Sequence, residues 1–160
     1  MKNYKLNILI ALVFLGTTFM GCDRDDDNDV PEEMEFSTTL IGTDEFPAIS
    51  GEGEVFSSEN EFTAAASISG AEPQAAHPWH VHEGTCASSG AIIGPPDDYS
   101  LLEVDDEGNA ETSVTIFNTS LREDGDYHIN VHLSEDDLDT IIACGDLNGN
   151  ENGDNGEVNN

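Results

Sequence analysis

Four of the five histidines fall in two strand-like runs, His80-Val81-His82 and Tyr127-His128-Ile129-Asn130-Val131-His132-Leu133, and His77 precedes the first of them across Pro78. Side chains alternate across a β-strand, so Trp79 and Val81 share one face while His80 and His82 share the other. Two strand rises separate their Cα atoms by about 6.6 Å, close enough for both imidazoles to reach one metal ion. In the second run the odd positions form an apolar face, and His128, Asn130 and His132 point away from it. One histidine on a polar strand face is ordinary in an antiparallel sheet. A His-x-His pair joined by an outward histidine from another strand is a ligand set. His128 lies about 13 Å from His132 along an extended strand, too far to share an ion with it unless the strand is bulged. His77 could reach the pair only by folding back. Three neutral imidazoles suit Cu(I), Cu(II) or Zn(II) rather than a hard cation, and an exported site of this kind favours copper.

Export is read from the first 21 residues. Lys2 and Lys5 provide a positive start, and Ile8 to Phe19 is apolar apart from Gly16, Thr17 and Thr18. That run is short for a membrane span and suited to a signal peptide. It ends in Phe19-Met20-Gly21-Cys22, which resembles a bacterial lipobox with Phe where Leu is usual. The expectation is a lipidated Cys22 as first mature residue, the alternative being simple cleavage near Gly21. The acidic Cys22-to-Asp27 stretch resembles the export tag of bacterial surface lipoproteins. Together these predict an outer-membrane or cell-surface lipoprotein, or a periplasmic or secreted protein if no lipid is added. Cys86 and Cys144 then remain, and two thiols in an oxidising compartment predict one disulfide rather than two buried free thiols. Closing a loop of about 58 residues is worth roughly 4 kcal/mol on chain-entropy grounds.

The chain has 160 residues, enough for one domain, with 34 Asp and Glu against four Lys and Arg and a net charge of −30. Removing Lys2 and Lys5 with the leader makes the mature chain more negative still. Such a surface repels nucleic acid and anionic membrane, so the lipid is the only membrane contact expected and a metal ion the favoured partner. Residues 22–35 read as an acidic solvated tether and 148–160 as a disordered Asn, Gly and acidic tail. The fold must lie in 36–147. There, runs such as Phe36–Ile41, Gly53–Phe56, Glu61–Ile68, Trp79–His82, Ala110–Phe117 and Tyr127–Leu133 are rich in Thr, Val, Ile and aromatics and separated by Gly, Pro, Asp and Asn. The pattern predicts an all-β Greek-key sandwich or flattened barrel, with Ser134–Ile142 as a short helical turn or loop. The Asp146-to-Glu157 stretch spaces oxygen ligands like a calcium loop but has Glu151 where the turn needs Gly, so chance spacing explains it better.

His80-Val81-His82-Glu83, followed by Cys86, resembles the first copper-ligand strand and disulfide loop of the copper/zinc superoxide dismutases. Val131-His132 and then Ala143-Cys144-Gly145 resemble that family's last copper ligand and second disulfide cysteine, so the likeness spans roughly Trp79 to Gly145. Upstream, Leu40 to Pro47 and Gly51-Glu52-Gly53 resemble the opening of a chordin-type (CHRD) domain, a family of similar architecture. The resemblance implies about eight strands, copper on His80, His82 and His132, and a Cys86–Cys144 bridge. It also exposes departures. No histidine lies between His82 and His128, so the ligand bridging copper to zinc and the zinc histidines are missing, and zinc is not expected. Ile141 stands where the dismutases carry their active-site arginine. An anionic substrate needs a positive approach, and the domain carries a single Arg122. The expected function is therefore copper binding for sequestration, delivery or oxidative protection. The alternatives are a metal-free CHRD-type module or a copper-only dismutase of low activity.

Overall fold

The computed structural model describes residues 33–149. The leader, Cys22, most of the acidic tether, and the tail beyond Gly149 with most of the calcium-like stretch lie outside the described residues.

Ten strands run in chain order: β1 (Met34–Gly42), β2 (Ser50–Ser57), β3 (Glu61–Ser69), β4 (Ala76–His77), β5 (Trp79–Thr85), β6 (Ser88–Ile92), β7 (Leu102–Glu103), β8 (Ala110–Phe117), β9 (Tyr127–Ser134) and β10 (Asp137–Gly149). Eight form one antiparallel sheet in the order β6-β5-β9-β10-β1-β2-β3-β8, and the two-residue strands β4 and β7 pair separately. The all-β expectation holds. Among the described residues, no helix is long and apolar enough to cross a membrane.

Strict alternation builds one half of the sheet. In β3 every second residue is buried, and Phe62, Ala64, Ala66 and Ile68 face inward. A slip of one residue would turn that whole set to solvent, so the register with β2 and β8 is fixed by the core. The sheet curls until its two ends approach each other. Gly94, two residues past β6, has a φ of +82°, and a Cβ there would come within 2.6 Å of Ile116 Cγ2 on β8.

The other half differs. Residues 127 to 132 of β9 and 79 to 82 of β5 are all buried, on both faces. Trp79, Val81, Ile129 and Val131 enter the hydrophobic core with no exposure. The opposite face carries His80, His82, His128, Asn130 and His132, each 7% exposed or less.

One sequence expectation is overturned. Ser134–Ile142 is neither helix nor loop: Glu135 and Asp136 make a two-residue turn, and β10 begins at Asp137. The pairing of β10 with β9 shifts register between Asp137 and Ile141 and again between Ile141 and Ala143. Such irregularities interrupt the period-two pattern by which a strand is recognised. Pairing and burial of Ile142 then override the acidic local composition. As expected, Cys86 and Cys144 form a disulfide, with Cα atoms 5.9 Å apart. It ties the β5–β6 turn to β10, and the Asp146 carboxylate accepts the Cys86 N–H at 2.6 Å beside it.

Candidate metal centre

The β5–β9 pairing sets the site. His82 lies directly opposite His128 and His80 opposite Asn130, which places His132 one step diagonally beyond His80. The imidazole nitrogens of His80, His82 and His132 converge, each offering one ligand atom within 4.8 Å of the others. Ring centroids are 5.1 Å apart for His80 and His132, 5.9 Å for His80 and His82, and 6.0 Å for His82 and His132. The three residues singled out from the sequence are the three that meet.

Main-chain carbonyls decide which nitrogen each ring presents. A carbonyl can only accept, so the Leu138 oxygen 2.6 Å from His132 Nδ1 places the proton on that nitrogen and leaves Nε2 bare. The Gly90 carbonyl does the same for His82 at 3.1 Å. His82 Nε2 is then buried with no partner, the arrangement expected of a waiting ligand. His80 turns Nδ1 toward His132 Nε2 at 3.1 Å. With His132 Nε2 bare, His80 Nδ1–H donates that bond, so His80 must shift its proton to Nε2 before Nδ1 can join His82 Nε2 and His132 Nε2 as a ligand. Metal–nitrogen bonds of about 2.0–2.1 Å require His82, the most distant ring, to draw inward. Tyr99 covers His80, its ring 5.1 Å away and its hydroxyl donated to the Ile93 carbonyl at 2.8 Å.

Burial keeps the cluster neutral. The His80 pKa is lowered from 6.5 to about 4, first by loss of solvent and then by repulsion from His132 and His82. Burial also lowers His82 and His132, partly offset by their Gly90 and Leu138 carbonyls. His128 is lowered by burial too. All four rings are neutral at neutral pH, so a metal does not compete with imidazolium there.

A stability prediction follows. In the unfolded chain the histidines bind protons near pH 6.5, whereas the folded cluster resists them. The stabilisation is thus complete above about pH 6.5 and lost as pH falls toward about 4, with His80 alone accounting for roughly 3 kcal/mol. Urea unfolding of metal-free protein between pH 7.5 and 4 should show this decline, and His80→Gln should flatten it. An equally steep decline in that variant would contradict the assignment.

The remaining histidines lie outside the ligand set. His77 donates Nδ1–H to the Leu133 carbonyl at 2.9 Å. His128 stacks on His82 with ring centroids 5.2 Å apart and planes 28° apart. The sequence gives no sign of the Gly90 and Leu138 carbonyls, because main-chain acceptors carry no residue signature. The alternation of β5 and β9 pointed to an outward histidine face that loops could cover, and that face is buried.

The electrostatics agree with the charge reading. Ile141 pairs with His132, so no cation stands there. Among the described residues Arg122 is the only Lys or Arg, and it is exposed and paired with Asp124 at 3.5 Å. A scan against models of known protein families and a search of curated proteins found no match to this chain.

Proposed function

We propose that this chain is an exported lipoprotein, anchored through Cys22 at the bacterial outer membrane or cell surface, whose superoxide-dismutase-like domain binds one copper ion through His80, His82 and His132. Its role is sequestration, delivery or oxidative protection, without a zinc site. The observation that carries the reading is the convergence of three buried imidazoles, two with bare Nε2 atoms fixed in advance by main-chain carbonyls. An all-nitrogen, neutral donor set disfavours hard cations, and Cys86 and Cys144 are engaged in a disulfide rather than available as thiolates. The disulfide supports an oxidising compartment. His82 Nε2 is buried without a partner, as a ligand nitrogen is before its ion binds, a state it shares with His77 Nε2 and His128 Nδ1 outside the ligand set.

Titration of purified domain with Cu(I), Cu(II) and Zn(II), each against a chelator of known affinity, tests the proposal. One equivalent of copper binding below micromolar Kd, and more tightly than zinc, is expected. No copper binding tighter than micromolar sinks it. In the same preparation, superoxide turnover should fall well short of the diffusional ceiling of about 10⁸–10⁹ M⁻¹s⁻¹. The anionic substrate meets a chain with net charge −30 and no arginine beside His132. Copper-dependent turnover near that ceiling would make the domain an enzyme instead.

A further inference from the structure

We infer that His128 is a positioning residue of the metal centre: through Ser89 it holds the edge strand β6 so that the Gly90 carbonyl sets the tautomer of His82. The inference rests on the metal-centre reading above and concerns residues outside the ligand set.

Strand β6 lies at one end of the sheet order, with β5 as its only neighbour. Its register with β5 shifts between His82 and Gly84, where His82 opposes Ile92 and Gly84 opposes Ser89. Gly90 and Ala91 therefore occupy a bulge, and a bulge disrupts the local ladder. The direction of the Gly90 carbonyl then depends on what else holds β6 in place. The ladder alone is weakest here.

Side chains from β9 supply that hold. Asn130 Nδ2 donates to Ser89 Oγ at 3.3 Å. His128 Nε2 lies 2.9 Å from the same oxygen. The His82 Nδ1 proton is already committed to Gly90, although Ser89 Oγ is 3.4 Å away. His128 Nε2 and Ser89 Oγ form one hydrogen bond whichever of them carries the proton. Asn130 gives to Ser89 and His128 shares a hydrogen bond with the same hydroxyl, which links β9 to β6 across the intervening β5. His128 has no exposed surface and also stacks on His82. It touches both the ligand ring and the strand that orients that ring, yet it is not among the converging ligands.

Two variants separate these contacts. His128→Phe keeps a ring to stack on His82 but accepts no hydrogen bond, and Ser89→Ala removes the hydroxyl from an exposed strand position. His128→Gln, with an amide that can give to or accept from Ser89, is the conservative rescue. Long-range ¹H–¹⁵N NMR of the metal-free imidazoles should show His82 fixed with its proton on Nδ1 in the wild type and His128→Gln, and mixed tautomers in His128→Phe and Ser89→Ala. Cu(II) affinity should fall about 10–100-fold in the last two, the usual effect of losing an outer hydrogen-bond partner. The EPR signature should remain that of three nitrogen ligands. A fixed His82 tautomer in both variants, with affinity within twofold of wild type, would overturn the inference. If His128→Phe does not fold, Ser89→Ala decides alone. Wild-type protein that takes up no copper overturns the metal-centre reading instead, and the NMR comparison still judges His128 without metal.

Discussion

Replacing His132 by Ala is expected to weaken copper binding by about 100-fold or more, and His80→Ala and His82→Ala should do the same. A nitrogen-ligated metal site has a binding free energy on the order of 10 kcal/mol, so one ligand of three corresponds to roughly 3 kcal/mol. His132 is the most informative of the three because it comes from a different strand. A His-x-His pair on β5 alone could bind copper weakly and adventitiously, whereas dependence on His132 requires the β5–β9 diagonal seen here. The same change leaves the part-buried Leu138 carbonyl without its donor, at a cost of about 1 kcal/mol. Chelator competition gives the first effect and urea unfolding of the metal-free protein the second. Unaltered affinity in His132→Ala would eliminate the three-histidine centre even if the wild type binds copper.

Exchanging both cysteines for serine is expected to produce the largest loss of stability. The bridge spans a sequence separation of 58 residues, and removing such a loop closure costs about 4 kcal/mol in chain entropy. For a domain of this size that lowers Tm by roughly 10–20 °C. The local consequence is more specific. Without the bridge, the β5–β6 turn is held to β10 by the bond from Cys86 N–H to Asp146. Since β6 carries Gly90 and Ser89, hydrogen exchange should accelerate at residues 86–92 before it does at the β2–β3 pair. Calorimetry and exchange mass spectrometry measure the two effects. A drop in Tm with exchange rates changed uniformly across the sheet would show that the bridge stabilises the fold globally and does not steady the site.

The ligands were legible because each lies on a strand with unbroken alternation. Trp79 and Val81 fix the phase of β5, while Ile129 and Val131 fix that of β9, so His80, His82 and His132 had to share a face. Cys86 and Cys144 were legible from their number and the export reading. Strand β10 was not, since its bulged register hides the period that would have revealed it. The burial of the histidine face was hidden for another reason. Alternation normally marks a sheet with one solvated side, and what covers this side comes from outside the alternating runs: Tyr99, the bulged β6 and the Leu138 carbonyl. Stacking of His128 on His82 follows from which residues face each other between strands 46 positions apart in the chain, a relation no local pattern encodes.

The close approach of Gly94 to Ile116 matters for how such a protein behaves at high density. Gly94 packs against Ile116 of β8 at that one point, while β6 itself stays exposed and neither β6 nor β8 pairs with a further strand, so both margins remain open to a neighbouring chain. A side chain at position 94 would be strained by the positive φ and would push against Ile116. Its first symptom would be felt at β6 and Ile93, whose carbonyl holds Tyr99 over His80.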